Sequence, residues 1–242
     1  MTPCIDVVIR SYFRDFHWLQ LALASIHAFL RGYRQVLLII PESSADRWKE
    51  SLIPNGLPLR LVTCEDYIDD YLGQQVSKLY ADEFTDADYL VHLDSDCVFV
   101  RPTVVWQDLF REEKPIHIYR NRSIRPTIDG WRNSIPIVLG INTNREFMVT
   151  LPAVYPRKIY VELRQFVMIR HGLKLSSLVL AQRPDQFSEF SVLGAYAFEY
   201  MQYYFTWIEA ETESLADWPC IQFWGRGCSP FTIAHLLPEG LR

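Results

Sequence analysis

The chain is short of positive charge. It carries 24 lysines and arginines against 29 aspartates and glutamates, a formal net charge of −5, and it has no basic run. Duplex-binding proteins present a basic face, so nucleic acid is not expected as a partner. CxxC spacing is also missing. The five cysteines, Cys4, Cys64, Cys97, Cys220 and Cys228, are scattered and odd in number. They suggest neither a zinc site nor a disulfide framework, and they fit free or buried thiols in a reducing cytoplasm. No apolar run approaches the roughly 18–20 residues of a membrane span. The start, MTPCIDVVIR, lacks the basic residues and apolar stretch of a signal peptide. These absences leave a cytoplasmic location as the expectation and keep peripheral membrane contact open. No repeat or low-complexity linker interrupts the chain.

What remains is ordinary globular material. Of 242 residues 49% are apolar and 22% charged, enough for a substantial core in one domain. IDVVIR (5–10), QVLLII (35–40) and PLRLVT (58–63) read as buried strands. Between the first two, Leu19, Ala22, Leu23, Ile26, Phe29 and Leu30 recur at helical spacing, with Gly32 as a stop. A short helix near Trp48 and a second long one from about Leu72 to Phe84 follow, then a strand at 88–93. This alternation predicts a parallel sheet with helices on its faces. Beyond residue 100 the pattern loosens. Residues 101–136 read as loop and short strands, IPIVLGIN (135–142) and SSLVLAQ (176–182) as strands, 158–171 as a helix, 187–205 as a long aromatic helix from about Ser188, and CIQFW (220–224) as a strand. Ile159, Leu163, Phe166, Val167 and Ile169 are expected on one mainly apolar face of the 158–171 helix. Two halves of one domain are expected, 1–102 and 103–242.

The most informative stretch is YLVHLDSDCVFVRP (89–102). A buried strand ends in Asp94, Ser95 and Asp96, and apolar residues resume at once. Two neighbouring carboxylates are costly to bury without a positive partner. Side chains at i and i+2 share one side of a strand, and ligands in open α/β folds bind at the carboxyl ends of the strands. A hard divalent cation, Mn²⁺ or Mg²⁺, wants such oxygen ligands and keeps positions open for phosphate. On the preceding helix Gln75 and Lys78 lie one turn apart, and Lys78 is placed to meet a diphosphate.

The order β-α-β-α-β, the helix QQVSKLYADEF and then ADYLVHLDSDCVFVRP resemble the nucleotide-sugar-binding half of glycosyltransferases of the GT-A fold, in a bacterial branch with a Gln-Gln-x-x-Lys-Leu helix. The resemblance is good over residues 5–102 and looser after that. It implies a Rossmann-like mixed sheet flanked by helices, and a DxD motif on Asp94, Ser95 and Asp96. Asp96 would chelate the metal, and Asp94 would meet the ribose or reach the metal through water. Arg10, Ser11 and Tyr12 would touch the nucleotide. Asp66 would read the base, with Glu65 equally placed, and His235 would be a late metal ligand. The donor would be a nucleotide-sugar, a UDP-sugar first, with GDP and dTDP open. The acceptor would be a glycan or glycolipid hydroxyl in polysaccharide synthesis. An inverting enzyme also needs a carboxylate to deprotonate that hydroxyl; Glu189, at a helix start, is the candidate, although an acid there is also favoured by the helix charge alone. On the acceptor side, Trp131 beside Asp129 would stack on a sugar ring and bind its hydroxyls. Arg111, Arg120, Arg122, Arg125 and Arg132 nearby fit a solvated loop as readily as an acidic glycan. The aromatic residues Tyr196, Tyr200, Tyr203, Tyr204 and Trp207 are expected to pack the core.

Three other functions use similar residues. A phosphatase of the haloacid dehalogenase type has DxD at a strand end and would phosphorylate Asp94, but it needs a later acidic pair that is missing here. A non-catalytic nucleotide- or glycan-binding protein on the same scaffold would keep both aspartates and turn nothing over. A nucleotidyltransferase calls for a glycine-rich first loop, and SYFRDFHW has no glycine.

Overall fold

The structure is a computed structural model that describes residues 3–121 and 130–223. Its centre is a five-stranded mixed sheet. Strands β1 (Ile5–Arg10), β2 (Gln35–Pro41), β3 (Leu59–Cys64) and β4 (Tyr89–Leu93) run parallel, and β7 (Ala153–Pro156) adds antiparallel to β4, in the order β7-β4-β1-β2-β3. The parallel strands are continuous apolar runs because helices cover both faces. β1 is buried at every position, and Val7, Val8 and Ile9 are fully so.

Helix α1 (Phe16–Phe29) follows the first strand and buries Leu19, Ala22, Leu23 and Ile26, the stripe expected from i, i+3, i+4 spacing. A one-turn helix α2 (Glu42–Ala45) follows β2. Helix α3 (Asp70–Leu79) begins where Asp69 accepts a hydrogen bond from the Leu72 amide, 3.0 Å away, and so caps the open end of the helix. The chain after β4 continues as β5 (Cys97–Phe99), which pairs not with the main sheet but with β9 (Cys220–Gln222). A smaller sheet is built on β6 (Lys114–Asn121), with β8 (Thr206–Glu209) parallel to it and Arg145–Glu146 antiparallel. The main hydrophobic core runs from Ile5 to Cys220, and two small clusters form beside it, around Val98 and Phe223 and around Ile116, Ile118 and Ile208.

The mixed α/β class is as expected, and so are the first four strands. Two segments of the second half are not. Residues 135–142 and 176–182 form helices α4 (Ser134–Leu139) and α6 (Leu175–Leu180), not strands. Both are short apolar runs whose buried residues fall at helical offsets, Ile135, Val138 and Leu139 in one, Leu175 and Val179 in the other. Periodicity in so few residues does not separate the two conformations. Gly140, at φ +68°, ends α4 in the left-handed conformation. The expected helices at 158–171 and from Ser188 are α5 (Lys158–His171) and α7 (Glu189–Tyr200), although α7 stops five residues before the expected end and a single 3-10 turn follows it. Ile169 is not on the buried face of α5. It is 87% exposed, whereas Ile159, Leu163 and Val167 are buried. Tyr196 packs inside as expected, but Tyr200 and Tyr203 are exposed.

Candidate active site at the carboxyl ends of the strands

The chain reverses after β4, and this places Asp94 and Asp96 in the wall of a cleft of about 730 Å³. The cleft opens at the carboxyl ends of β1 and β4, where crossing helices leave a crevice. Its wall includes Arg10 at the end of β1 and Tyr12 just after it, Asp70, Tyr71, Gln75 and Lys78 of α3, Glu189 at the start of α7, and Gln222 of β9.

The positive partner of the aspartates comes from α3. Lys78 Nζ donates to Asp94 Oδ1 at 2.5 Å and to Glu189 Oε1 at 2.7 Å. Its side chain is only 4% exposed, and that of Glu189 6%. Burial alone pulls the Lys78 pKa down, but the two carboxylates outweigh it and hold the ammonium above its usual range. Gln75, one turn earlier, fixes the start of α7: its Oε1 accepts from the Glu189 amide at 2.9 Å and its Nε2 donates to the Phe187 carbonyl at 3.1 Å. Ser188 caps the same helix by accepting from the Ser191 amide at 3.2 Å. The cap makes Glu189 the first residue of the helix, with its carboxylate in the cleft wall.

Asp96 is treated differently. Gln222 Nε2 lies 3.4 Å from its Oδ1, its own amide also reaches the carboxylate, and the same Gln222 amide reaches Asp94 Oδ2 at 3.1 Å. Burial, reinforced by the charge of Asp94, pushes the Asp96 carboxyl up to about 6. Asp15, also in the cleft wall, is raised to about 6, by burial first. Two carboxylates within reach of one amide, one of them short of positive charge, suit a hard cation that takes its other ligands from phosphate and water. Among the described residues no group of three or more His, Cys, Asp or Glu side chains forms a site of its own. His92, on β4 just before the aspartates, is fully buried against the Tyr160 hydroxyl at 2.6 Å. Burial lowers its pKa to about 3, so it is a neutral core residue.

Other expected residues are distributed unevenly. Arg10 lies in the cleft wall, buried, and makes a two-pronged ion pair with Asp70. Ser95 is also in the wall, and its hydroxyl donates to Ser11 Oγ at 2.9 Å, joining the loops after β4 and β1. Trp131 lines the cleft and hydrogen-bonds Tyr71. Asp66 is not in the cleft wall. Its carboxylate accepts from the amide of Ser43, at 3.0 Å, and from its hydroxyl, at 2.5 Å, and so ties the end of β3 to α2. Glu65 also lies outside the wall. His235, Asp129, Arg122 and Arg125 lie outside the described residues. Sequence reasoning missed Asp15, Asp70, Tyr71 and Gln222. The first three sit in segments that were read, close to Arg10 and Lys78. Nothing local marks Gln222, which reaches the aspartates only because β9 pairs with β5.

The fold and this site together define a mixed α/β protein with a carboxylate-rich cleft at the ends of its parallel strands. The chain belongs to a family described as a family of unknown function (DUF6492), whose family model matches residues 15–222. No curated protein matches the sequence. Among solved structures, the glycosyltransferase GlyE of Streptococcus pneumoniae TIGR4 aligns with a TM-score of 0.46 and 12% identity, over 86% of this chain and 46% of that one. The chain thus spans about half the length of GlyE.

Proposed function

We propose that the protein is a divalent-metal-dependent glycosyltransferase of the GT-A type that moves a sugar from a nucleotide-sugar, a UDP-sugar first, to a hydroxyl of a glycan or glycolipid with inversion. The observation that carries this reading is the shared ammonium of Lys78, buried between Asp94 and Glu189 in a cleft that also holds the under-neutralised Asp96. Cleaving a sugar from a nucleoside diphosphate builds negative charge on the leaving phosphate; Asp94 and Asp96 would hold a Mn²⁺ or Mg²⁺ ion, which would supply Lewis-acid stabilisation of that charge. Lys78 is a fixed positive charge beside the same phosphate position. Arg10, held by Asp70, faces the nucleotide. Glu189 takes the proton of the acceptor hydroxyl; with Oε1 engaged by Lys78, Oε2 is the oxygen left for that work. Trp131 and Tyr71 offer aromatic surface to the acceptor.

Calorimetric titration of UDP, GDP and dTDP, with Mn²⁺ and with EDTA, tests the donor site. Binding that requires the metal and disappears in Asp96→Ala is expected. No binding of any nucleotide by the unmodified protein would end the proposal. Glu189→Gln is expected to keep nucleotide binding and to lose transfer by a factor on the order of 10² or more; full transfer by that variant would remove Glu189 as the base.

A further inference from the structure

Two adjacent residues divide the cleft from a second cavity: Met148 lines the cleft, and Phe147 lines a cavity of about 400 Å³ that the proposed transfer does not use. That volume falls within the roughly 300–1,000 Å³ of small-ligand sites. The floor is apolar, made by Phe147, Ala195 and Phe198. Gly194 lets Phe147 lie directly on α7, since a Cβ there would come within 2.4 Å of the Phe147 Cβ. The rim is polar. The loop after α4 supplies Asn142, Thr143 and Asn144, and Thr143 Oγ1 shapes it by accepting from the Arg145 amide at 3.1 Å.

Arg145 gives the cavity a positive charge. Its strand pairs with β6 so that Arg145 stands opposite Asn121, and directly opposed residues share a face of the sheet. The guanidinium carbon lies 4.2 Å from the centre of the Phe198 ring and 5.5 Å from that of Tyr119. Its Nε is buried without a hydrogen-bond partner. Among the described residues no carboxylate pairs with it. The two acids closest along the strands, Glu146 and Glu211, pair with Arg120 instead, at 3.7 Å and 3.1 Å. Ring stacking uses the face of a guanidinium and leaves its edge for a planar anion, so a guanidinium held this way is prepared for a carboxylate. The rim amides of Asn142 and Asn144 are exposed.

The wall also contains Glu199, which is exposed and makes no ion pair with Arg145. Arg145 and Glu199 together leave the wall without net charge. A phosphate dianion would gain from the first and be repelled by the second. A ligand with a single carboxylate and several neutral hydroxyls suits both, because asparagine amides and a carboxylate bind hydroxyls as donors and acceptors.

We propose that this cavity is a second binding site, for a carboxylate-bearing sugar of a glycan, with Arg145 on the carboxylate and Asn142, Asn144 and Glu199 on the hydroxyls. Helix α7 joins the two sites. Glu189 at its start faces the cleft, and Glu199, ten residues on and about 15 Å along the axis, faces this cavity. An acidic unit held here would anchor an acceptor chain at a distance from its reacting hydroxyl, a use of remote binding energy. That role rests on the transfer reading above; the binding itself does not.

The test is a nuclear magnetic resonance titration of the full chain with glucuronate, galacturonate and N-acetylneuraminate, beside glucose and inorganic phosphate. At least one of the three acids is expected to bind, with glucose and phosphate about tenfold weaker or more. Arg145→Gln should weaken that binding by about tenfold or more. Asn142→Ala with Asn144→Ala, at exposed positions where the fold is not at stake, should weaken it by about threefold or more. No binding of any of the three acids, equal binding of glucose or phosphate, or undiminished binding by a folded Arg145→Gln protein would overturn the proposal. Should Arg145→Gln fail to fold, undiminished binding by the asparagine double variant would overturn it. Metal-dependent nucleotide binding by these variants should be unchanged. Binding of an acidic sugar by a protein that binds no nucleotide would uphold this site and sink the transfer reading; nucleotide binding without any acidic-sugar binding would do the reverse.

Discussion

The two ends of the parallel strands treat a buried aspartate in opposite ways. At the amino end Asp6 is fully buried and saturated with donors: Arg34 Nε at 2.9 Å and Nη2 at 2.8 Å, Gln35 Nε2 at 2.9 Å and Thr85 Oγ1 at 2.6 Å. Burial alone would raise its pKa, but these hydrogen bonds and the Arg34 charge win and hold it below the usual carboxylate range. At the carboxyl end Asp96 has a long hydrogen bond from Gln222 and one from its own amide, and burial together with Asp94 outweighs them and raises it to about 6. Both are aspartates near the end of an apolar strand, and local sequence does not separate them. A carboxylate that holds a fold together is given all its donors from within the chain. One left short of them in a cleft is a candidate for a ligand from outside.

The largest effect should come from breaking the charge balance at the cleft end. Lys78→Met leaves Asp94 and Glu189 facing each other without a cation, a loss of about 3–5 kcal/mol of stability expected for one-sided removal of a buried pair, read by urea denaturation. Arg34→Met, at the amino end, should cost less, about 1–3 kcal/mol, because Gln35 and Thr85 remain on Asp6. A loss at Lys78 no greater than at Arg34 would show that the cleft carboxylates shed their charge without penalty, and the contrast between the two ends would fail.

The smallest effect is a pH dependence of opposite sign at the two ends. Asp6 is lowered on folding, so its stabilisation is present above the unfolded pKa and is lost as pH falls through the folded one. Asp96 is raised, so the unfolded chain gives up its proton first. Its contribution to stability declines as pH rises from about 4 through about 6 and is level above that. In EDTA, Asp96→Asn should therefore gain stability relative to the unmodified protein over that window. Urea midpoints measured at successive pH values would show it, and a flat difference between the two proteins would remove the distinction between the carboxylates.

Much of the first half was legible in the sequence because a parallel strand buried on both faces is a plain apolar run, and the helices between such strands show their period. The Asp-Ser-Asp step was visible for the same reason, as polar residues in an otherwise apolar register. The second half was less so. Residues 135–142 and 176–182 are too short for their period to show, and α5 was read correctly as a helix but with Ile169 on the wrong face. Ile169 is two positions from buried Val167, about 200° around the helix, so adjacency along the chain misled where angle decides.

By itself the sequence determined the alternating α/β order, the strand that delivers Asp94 and Asp96, the helix that carries Gln75 and Lys78, and the helix start at Glu189. Each of these follows from local periodicity or capping. Only the tertiary structure decided that Lys78 is shared between Asp94 and Glu189, 16 and 111 residues away, that Gln222 stands over both aspartates, and that Asp66 serves α2 instead of the cleft. Those relations depend on which strands pair and where helices cross. Pairing is settled by the burial of whole faces at once, which no short stretch of residues records.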